Sequence, residues 1–166
     1  MVVGGGIAGM QSALDLADSG FRVYLVEKKP SIGGIMTQLD KTFPTNDCST
    51  CIISPKLIEV SKHPNIEIMA YSEVLGLSGT PGQFKVNVKK KARYVDAEKC
   101  VSCDVCATKC PRKVENAFNE GLNQRKAIYL TFPQAIPAVY TIDRKTAFTL
   151  RRESAVPVRN SARATP

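Results

Sequence analysis

The stretch Gly4-Gly5-Gly6-Ile7-Ala8-Gly9 constrains this chain more than any other. It follows an apolar start, Met1-Val2-Val3, and opens a segment in which Ile7, Met10, Ala13, Leu14 and Ala17 recur at spacings of three and four. That spacing is the period of one face of a helix. Gly20 is placed to stop the helix in a left-handed cap. Phe21-Arg22-Val23-Tyr24-Leu25-Val26 is rich in β-formers, and Glu27 stands at its end. Strand, glycine turn, helix, strand and acid, in that order, predict a dinucleotide-binding unit of the doubly wound α/β class.

In such a unit Gly4 permits the tight turn, Gly6 lets the backbone approach a pyrophosphate, and Gly9 lets helix and strand pack closely. Gly5, Ile7 and Ala8 complete the cofactor-binding turn, whose helix N-terminus offers N–H groups and partial positive charge to phosphate. Glu27 can accept hydrogen bonds from ribose hydroxyls. The bland alternative is a glycine-rich turn that binds nothing. After the acid comes Lys28-Lys29-Pro30-Ser31-Ile32-Gly33-Gly34. An acid followed by a short basic loop ending in Gly-Gly resembles the FAD domain of two-dinucleotide-domain flavoproteins. This resemblance favours FAD over NAD and adds Lys28, Gly33 and Gly34 to the expected cofactor site. Because only three residues precede Gly4, the first strand is expected to begin further upstream.

The six cysteines fall into two clusters, Cys48 with Cys51 and then Cys100, Cys103, Cys106 and Cys110. Gaps this short suit a shared metal better than a set of cross-links. Cys48-Ser49-Thr50-Cys51 can be a redox dithiol, half of a metal site or two buried thiols. A redox dithiol of thioredoxin type starts a helix after a strand, whereas this pair follows a loop with Pro44 and precedes Pro55. Metal ligation is therefore the expectation for Cys48 and Cys51. The second cluster reads C-x-x-C-x-x-C-x-x-x-C-P through Pro111, the bacterial ferredoxin run that holds 4Fe-4S clusters. A zinc ribbon would show two pairs across a longer loop. In two-cluster ferredoxins the fourth cysteine serves the other cluster, and the first cluster borrows from a second run. No second run exists here.

Hydrophobic residues are 43% and charged residues 23% of the 166, which suits a folded chain; no stretch approaches the roughly 20 apolar residues of a membrane span. With no basic leader or cleavage site at its start, the chain reads as soluble and cytoplasmic. The net charge is +8, half of it in 145–166. No recognition motif accompanies that charge, so no nucleic-acid partner is expected. His63, the sole histidine, is expected on the surface beside Pro64. Asn65 to Val74 reads as a strand, Gly76 to Gly82 as a turn, and Phe84, Val86 and Val88 alternate with polar residues as in a half-buried antiparallel strand. Lys89-Lys90-Lys91 reads as a solvated edge.

Taken together, Gly4 to Gly9, Glu27, Gly33-Gly34, N-D-C-S-T-C-I-I-S-P-K-L, the ferredoxin run and F-N-E-G-L-N-Q-R-K-A-I-Y-L-T-F-P-Q-A-I-P resemble the A-subunit family of heterodisulfide reductase. The resemblance implies a thioredoxin-reductase-like FAD domain over 1–93 and the start of an inserted ferredoxin-like 4Fe-4S domain over 94–144. It implies an electron-transfer subunit whose FAD divides electrons between two acceptors. Its partners would be the subunits that reduce the disulfide of coenzymes M and B or related disulfides, with a hydrogenase or ferredoxin as donor. No catalytic acid, base or nucleophile is placed. The chain lacks the later strands of the flavin core and reads as a fragment.

Two other readings stay open. One is an NAD(P)H-linked flavin and iron–sulfur oxidoreductase such as the small subunit of glutamate synthase, which keeps its cysteine clusters before the flavin domain. The other is a basic zinc-binding interaction module, which leaves Gly4 to Gly34 unexplained. Lys145 to Pro166 has no periodicity, and it reads as a disordered basic tail or as the product of a lost nucleotide at the Arg144 codon. In the restored frame, compatible codons spell E-N-C-L-Y-L-T-K-G-K-C-R-A-C-E-K-L-C-P-G-N-A, the missing cysteine run.

Overall fold

Packing of the first helix on the first two strands sets up the fold. β1 (Val2–Val3) is followed by the glycine turn, α1 (Ile7–Asp18) and β2 (Val23–Glu27). Met10, Ala13, Leu14 and Ala17 are the buried stripe of α1, and Val23, Leu25, Val26 and Glu27 are buried in β2. The helix ends as expected at Gly20, whose φ of +89° is open to glycine. There the Phe21 N–H donates to the Leu16 carbonyl and the Gly20 N–H to the Ala17 carbonyl, the two bonds of a Schellman cap.

β3 (Lys41–Thr42) and β4 (Asp47–Cys48) make a small antiparallel hairpin that delivers the chain into α2 (Ser49–Lys62). Ile53, Leu57 and Val60 are its buried face. α2 returns to β5 (Ile66–Ala70), giving a parallel sheet of order β1-β2-β5, with Val2 opposite Leu25 and Leu25 opposite Ile68. Tyr71, left-handed at φ 59°, separates β5 from β6 (Ser72–Thr80), which pairs antiparallel with β7 (Gln83–Lys90).

Three expectations for this region are corrected. The pair at Cys48 and Cys51 does begin a helix after a strand, because Pro55 lies inside α2 rather than ending it. Pro55 is solvent-exposed, and the helix forgoes one hydrogen bond there. Gly76 to Thr80 is strand, not turn; Gly76 stands opposite Asn87 and Gly79 opposite Phe84. A Cβ on Gly79 would come within 2.3 Å of the Gln83 carbonyl oxygen, so this glycine serves the close approach of two strands. His63 is mostly covered, with its side chain 17% exposed. Its Nε2 lies 3.2 Å from Asp18 and its Nδ1 accepts the Asn65 N–H, so it bridges the ends of the two helices.

The computed structural model describes residues 1–147, and the expectations for 148–166 lie outside them. Lys145 and Ala147 fold back onto Asp143, and Ala147 is 6% exposed. The described chain divides into two units. The first comprises Met1–Ala92 and Gln134–Pro137, and the second Arg93–Pro133 with the residues from Ala138 onward. The short return segment belongs to the first unit, where Ile136 bridges Ile32.

The second unit contains α3 (Val105–Lys109) and two antiparallel pairs. They are β8 (Lys113–Glu115) with β9 (Gln124–Lys126), and β10 (Ile128–Tyr129) with β11 (Thr141–Ile142). Ala107, Cys110, Ala127, Ile128, Tyr140 and Ala147 form its core. Arg125 lies over the Tyr129 ring at 3.7 Å and bonds Asp143 at 3.0 Å, tying β9, β10 and the chain after β11 together.

Gly20→Ala should destabilise the chain by about 1–2 kcal/mol, the cost of a left-handed conformation on an L-residue. A Cβ there meets no atom within 4 Å, so the loss measured by urea unfolding should be conformational alone.

Candidate functional site

The first candidate site is the N-terminus of α1. Gly4 turns at φ +101° directly after β1, with its N–H on the Val26 carbonyl at 2.8 Å. Gly6 is the helix N-cap, and no side chain caps it. Ile7, Ala8 and Gly9 form the first helical turn, whose N–H groups have no carbonyl one turn earlier within the helix. A Cβ on Gly9 would sit 1.8 Å from the Gly4 carbonyl oxygen, which makes this glycine a requirement of the fold. A Cβ on Gly6 would meet nothing nearer than the Gly34 Cα at 4.0 Å, so the space above the helix start is open.

Two further segments close over this turn. The Gly33 N–H donates to the Gly5 carbonyl at 2.6 Å, and a Cβ on Gly34 would lie 2.8 Å from the Gly6 Cα. The Gly33-Gly34 loop therefore lies backbone to backbone on the glycine turn. Glu27, 9% exposed, accepts the Gly5 N–H at 2.6 Å and the Lys29 N–H at 2.7 Å. Each carboxylate oxygen keeps a second lone pair for another donor. The role of the Lys29 N–H was not legible, since backbone groups leave no mark on residue type.

Lys28 is 70% exposed and its ammonium lies 3.0 Å from Glu73, which Lys91 also reaches at 3.3 Å. Lys28 and then Lys91 hold the Glu73 carboxyl below its usual range. Lys91 is thus paired rather than part of a bare solvated edge.

Cys48 and Cys51 are bonded to each other. In that bonded state neither offers a thiolate to a metal. Both are exposed at the start of α2, and the Cys51 N–H donates to the Cys48 Sγ at 3.2 Å. Between them Ser49 is fully buried, its hydroxyl donating to the Met36 carbonyl at 2.6 Å and its N–H to the Asp40 carbonyl at 3.0 Å. These bonds fasten the helix start to the segment that follows Gly34.

In the second unit the cysteine run curls through two left-handed residues, Ser102 at φ 56° and Asp104 at φ 61°. Such alternation wraps backbone around a compact centre. Cys100 and Cys106 pack against the core that contains Cys110, while Cys103 is exposed. Burial pushes the Cys106 thiol up, and Cys100 and Cys103 are close enough to push it further. The Cys110 Sγ donates to the Arg112 carbonyl at 3.7 Å. Among the described residues no three His, Cys, Asp or Glu side chains converge as a metal site. The Tyr140 hydroxyl donates to Asp104 at 2.5 Å and Ser102 to the Ala138 carbonyl, holding the loop against its own unit; burial and Asp104 raise the Tyr140 hydroxyl. Neither anchor was legible in sequence, because Tyr140 and Ala138 lie far along the chain.

No helix among the described residues is long and apolar enough to cross a membrane.

The family model for FAD dependent oxidoreductase matches residues 1–163. The chain is 61% identical over 142 residues to the second iron-sulfur A-subunit of CoB–CoM heterodisulfide reductase from Methanopyrus kandleri. It is 56% identical to the corresponding A-subunit of Methanocaldococcus jannaschii. It is 55% identical to the A-subunit of the H(2):CoB-CoM heterodisulfide,ferredoxin reductase of Methanothermobacter marburgensis. These alignments cover 86–87% of this chain and 22% of each relative, so the chain spans about a fifth of their length. Among solved structures, L-proline dehydrogenase from P. horikoshii matches 52% of the chain at 30% identity with a TM-score of 0.44, a likeness too loose to build on.

Glu27→Ala should cost about 1.5–3 kcal/mol, because it strands two N–H groups that now bond a charged acceptor. Urea denaturation of the unliganded chain checks it; an unmoved midpoint would show that these bonds carry no stability.

Proposed function

Because this chain belongs to the FAD-dependent oxidoreductase family, we propose that it is the FAD-binding and iron–sulfur part of an electron-transfer subunit of heterodisulfide-reductase type. The observation that carries the reading is the open N-terminus of α1, roofed by Gly34 and left bare by Gly6. The absence of a Cβ there suits the close passage of a pyrophosphate, whose charge the helix N-terminus favours. Gly4, Gly5, Gly6, Ile7, Ala8 and Gly9 would hold the phosphates. Glu27 would take ribose hydroxyls on its spare lone pairs. Gly33 and Gly34 would run beside the flavin half, with Lys28 at the loop's edge. FAD, when bound, supplies the two-electron uptake and one-electron delivery that side chains cannot.

The cysteine run supports the second half of the proposal. Its donor set is entirely thiol, which suits iron–sulfur chemistry. Cys100, Cys103 and Cys106 would turn their sulfurs onto one 4Fe-4S cluster, and Cys110, the fourth cysteine of the run, would serve another. A half-buried thiol such as Cys106 resists ionisation until a cation compensates its charge, which cluster iron does. By the same resemblance, the partners would be the other subunits of the complex, fed by a hydrogenase or ferredoxin. Division of electron pairs at the flavin belongs to this proposal as well.

Gly6→Leu tests the flavin site. The added Cβ itself meets only the Gly34 Cα, at 4.0 Å; far-UV circular dichroism checks that the fold persists, while FAD affinity measured by flavin fluorescence should fall by about tenfold or more. Unchanged affinity would reject the assignment. For the clusters, Cys103→Ser in chain purified without oxygen should lower iron and acid-labile sulfide per chain and bleach the brown visible absorption. Retained iron would remove Cys103 from the ligand set.

A further inference from the structure

Cys48 and Cys51 are left unused by the flavin and cluster readings, and their setting is chemically specific. They bracket the first turn of a fourteen-residue helix, already bonded to each other, with both residues exposed. Cys48 is the N-cap, and its sulfur receives the Cys51 N–H at 3.2 Å. A sulfur so placed has its negative charge stabilised by the helix terminus. Across the β3–β4 hairpin Lys41 stands directly opposite Cys48, and directly opposed residues share one face of a ladder. The acids nearby in sequence are Asp40 and Asp47. Behind the sulfurs, buried Ser49 holds the helix start by two hydrogen bonds. The result is an accessible sulfur pair on a fixed mount.

We propose that Cys48 and Cys51 form a redox-active pair that exchanges with low-molecular-weight disulfides and dithiols, with Cys48 as the attacking sulfur. In the reduced pair the Cys48 thiolate attacks one sulfur of the substrate disulfide. The substrate S–S bond breaks, one thiolate leaves, and a mixed disulfide stands on Cys48. Cys51 gives up its proton and attacks the Cys48 Sγ, the mixed bond breaks, and the second substrate thiolate leaves. The Cys48–Cys51 bond is restored. The pair has lost two electrons and the substrate has gained them; the proton Cys51 gives up, with the one Cys48 released to solvent on ionising, protonates the two product thiolates. A dithiol drives the same steps backwards and is the reductant. The inference goes beyond the flavin reading and requires neither flavin nor iron.

The test uses the full chain prepared without oxygen and peptide mass mapping after alkylation. In mixtures of oxidised and reduced dithiothreitol, Cys48 and Cys51 should gain and lose alkylation together and reversibly. With glutathione disulfide as probe, Cys51→Ser should hold glutathione on Cys48, and Cys48→Ser should accumulate about tenfold less on Cys51. Equal trapping in the two variants would overturn the role of Cys48. A pair still closed in excess reduced dithiothreitol would overturn the exchange. So would a pair shielded from alkylation whose replacement by serine lowers iron per chain, since the cysteines would then be metal ligands. Flavin affinity and the iron held by Cys100 to Cys110 are read separately, so failure here leaves the flavin and cluster reading intact.

Discussion

The buried carboxylate of Glu27 is the fastening on which the first unit depends. It ends β2, accepts the Gly5 N–H on one oxygen and the Lys29 N–H on the other, and so joins the central strand to the turn before it and the loop after it. The connection continues through the Gly33 N–H to the Gly5 carbonyl, and from Ile32 beside it to Ile136. Three segments distant in sequence, around Gly5, from Glu27 to Gly33 and at Ile136, are thus held by single hydrogen bonds in series. A charged acceptor suits this duty because charge-assisted bonds are about twice as strong as neutral ones. In the proposed reading the same acid would face the nucleotide, so fold and ligand would draw on one residue.

The glycines of the turn divide along a similar line. At Gly9 the fold itself forbids a side chain, since its place is taken by the Gly4 carbonyl. At Gly6 a Cβ would only touch the Gly34 Cα, at 4.0 Å, so the fold does not forbid a side chain there as it does at Gly9.

Local periodicity made α1, β2 and the alternation of β7 readable from residue order alone, because each buries one regular face. Gly20 was readable for the same local reason. What escaped was set by tertiary context. Pro55 read as a breaker, yet packing of Ile53, Leu57 and Val60 carries α2 through it, and the cysteine pair thereby acquires a helix terminus. Gly76 and Gly79 read as turn residues, but close strand approach explains at least Gly79 as well. His63 looked exposed because Asp18, far along the chain, is brought to it only when the helices pack. Of the candidate site, the glycine turn was legible to the residue. The bonded state of Cys48 and Cys51 was not, since spacing alone is shared by ligands and dithiols.

The return of Gln134–Pro137 to the first unit bears on how the chain is made. A ribosome delivers β1, β2 and β5 early, but the strip that bridges Ile32 emerges only after Arg93–Pro133 has been synthesised. Until then Ile32, fully buried in the finished fold, lacks the backbone partner that covers it. The first unit therefore begins to fold well before it is able to finish. The nascent chain carries an open seam beside its glycine turn for as long as the intervening cysteine segment takes to be made.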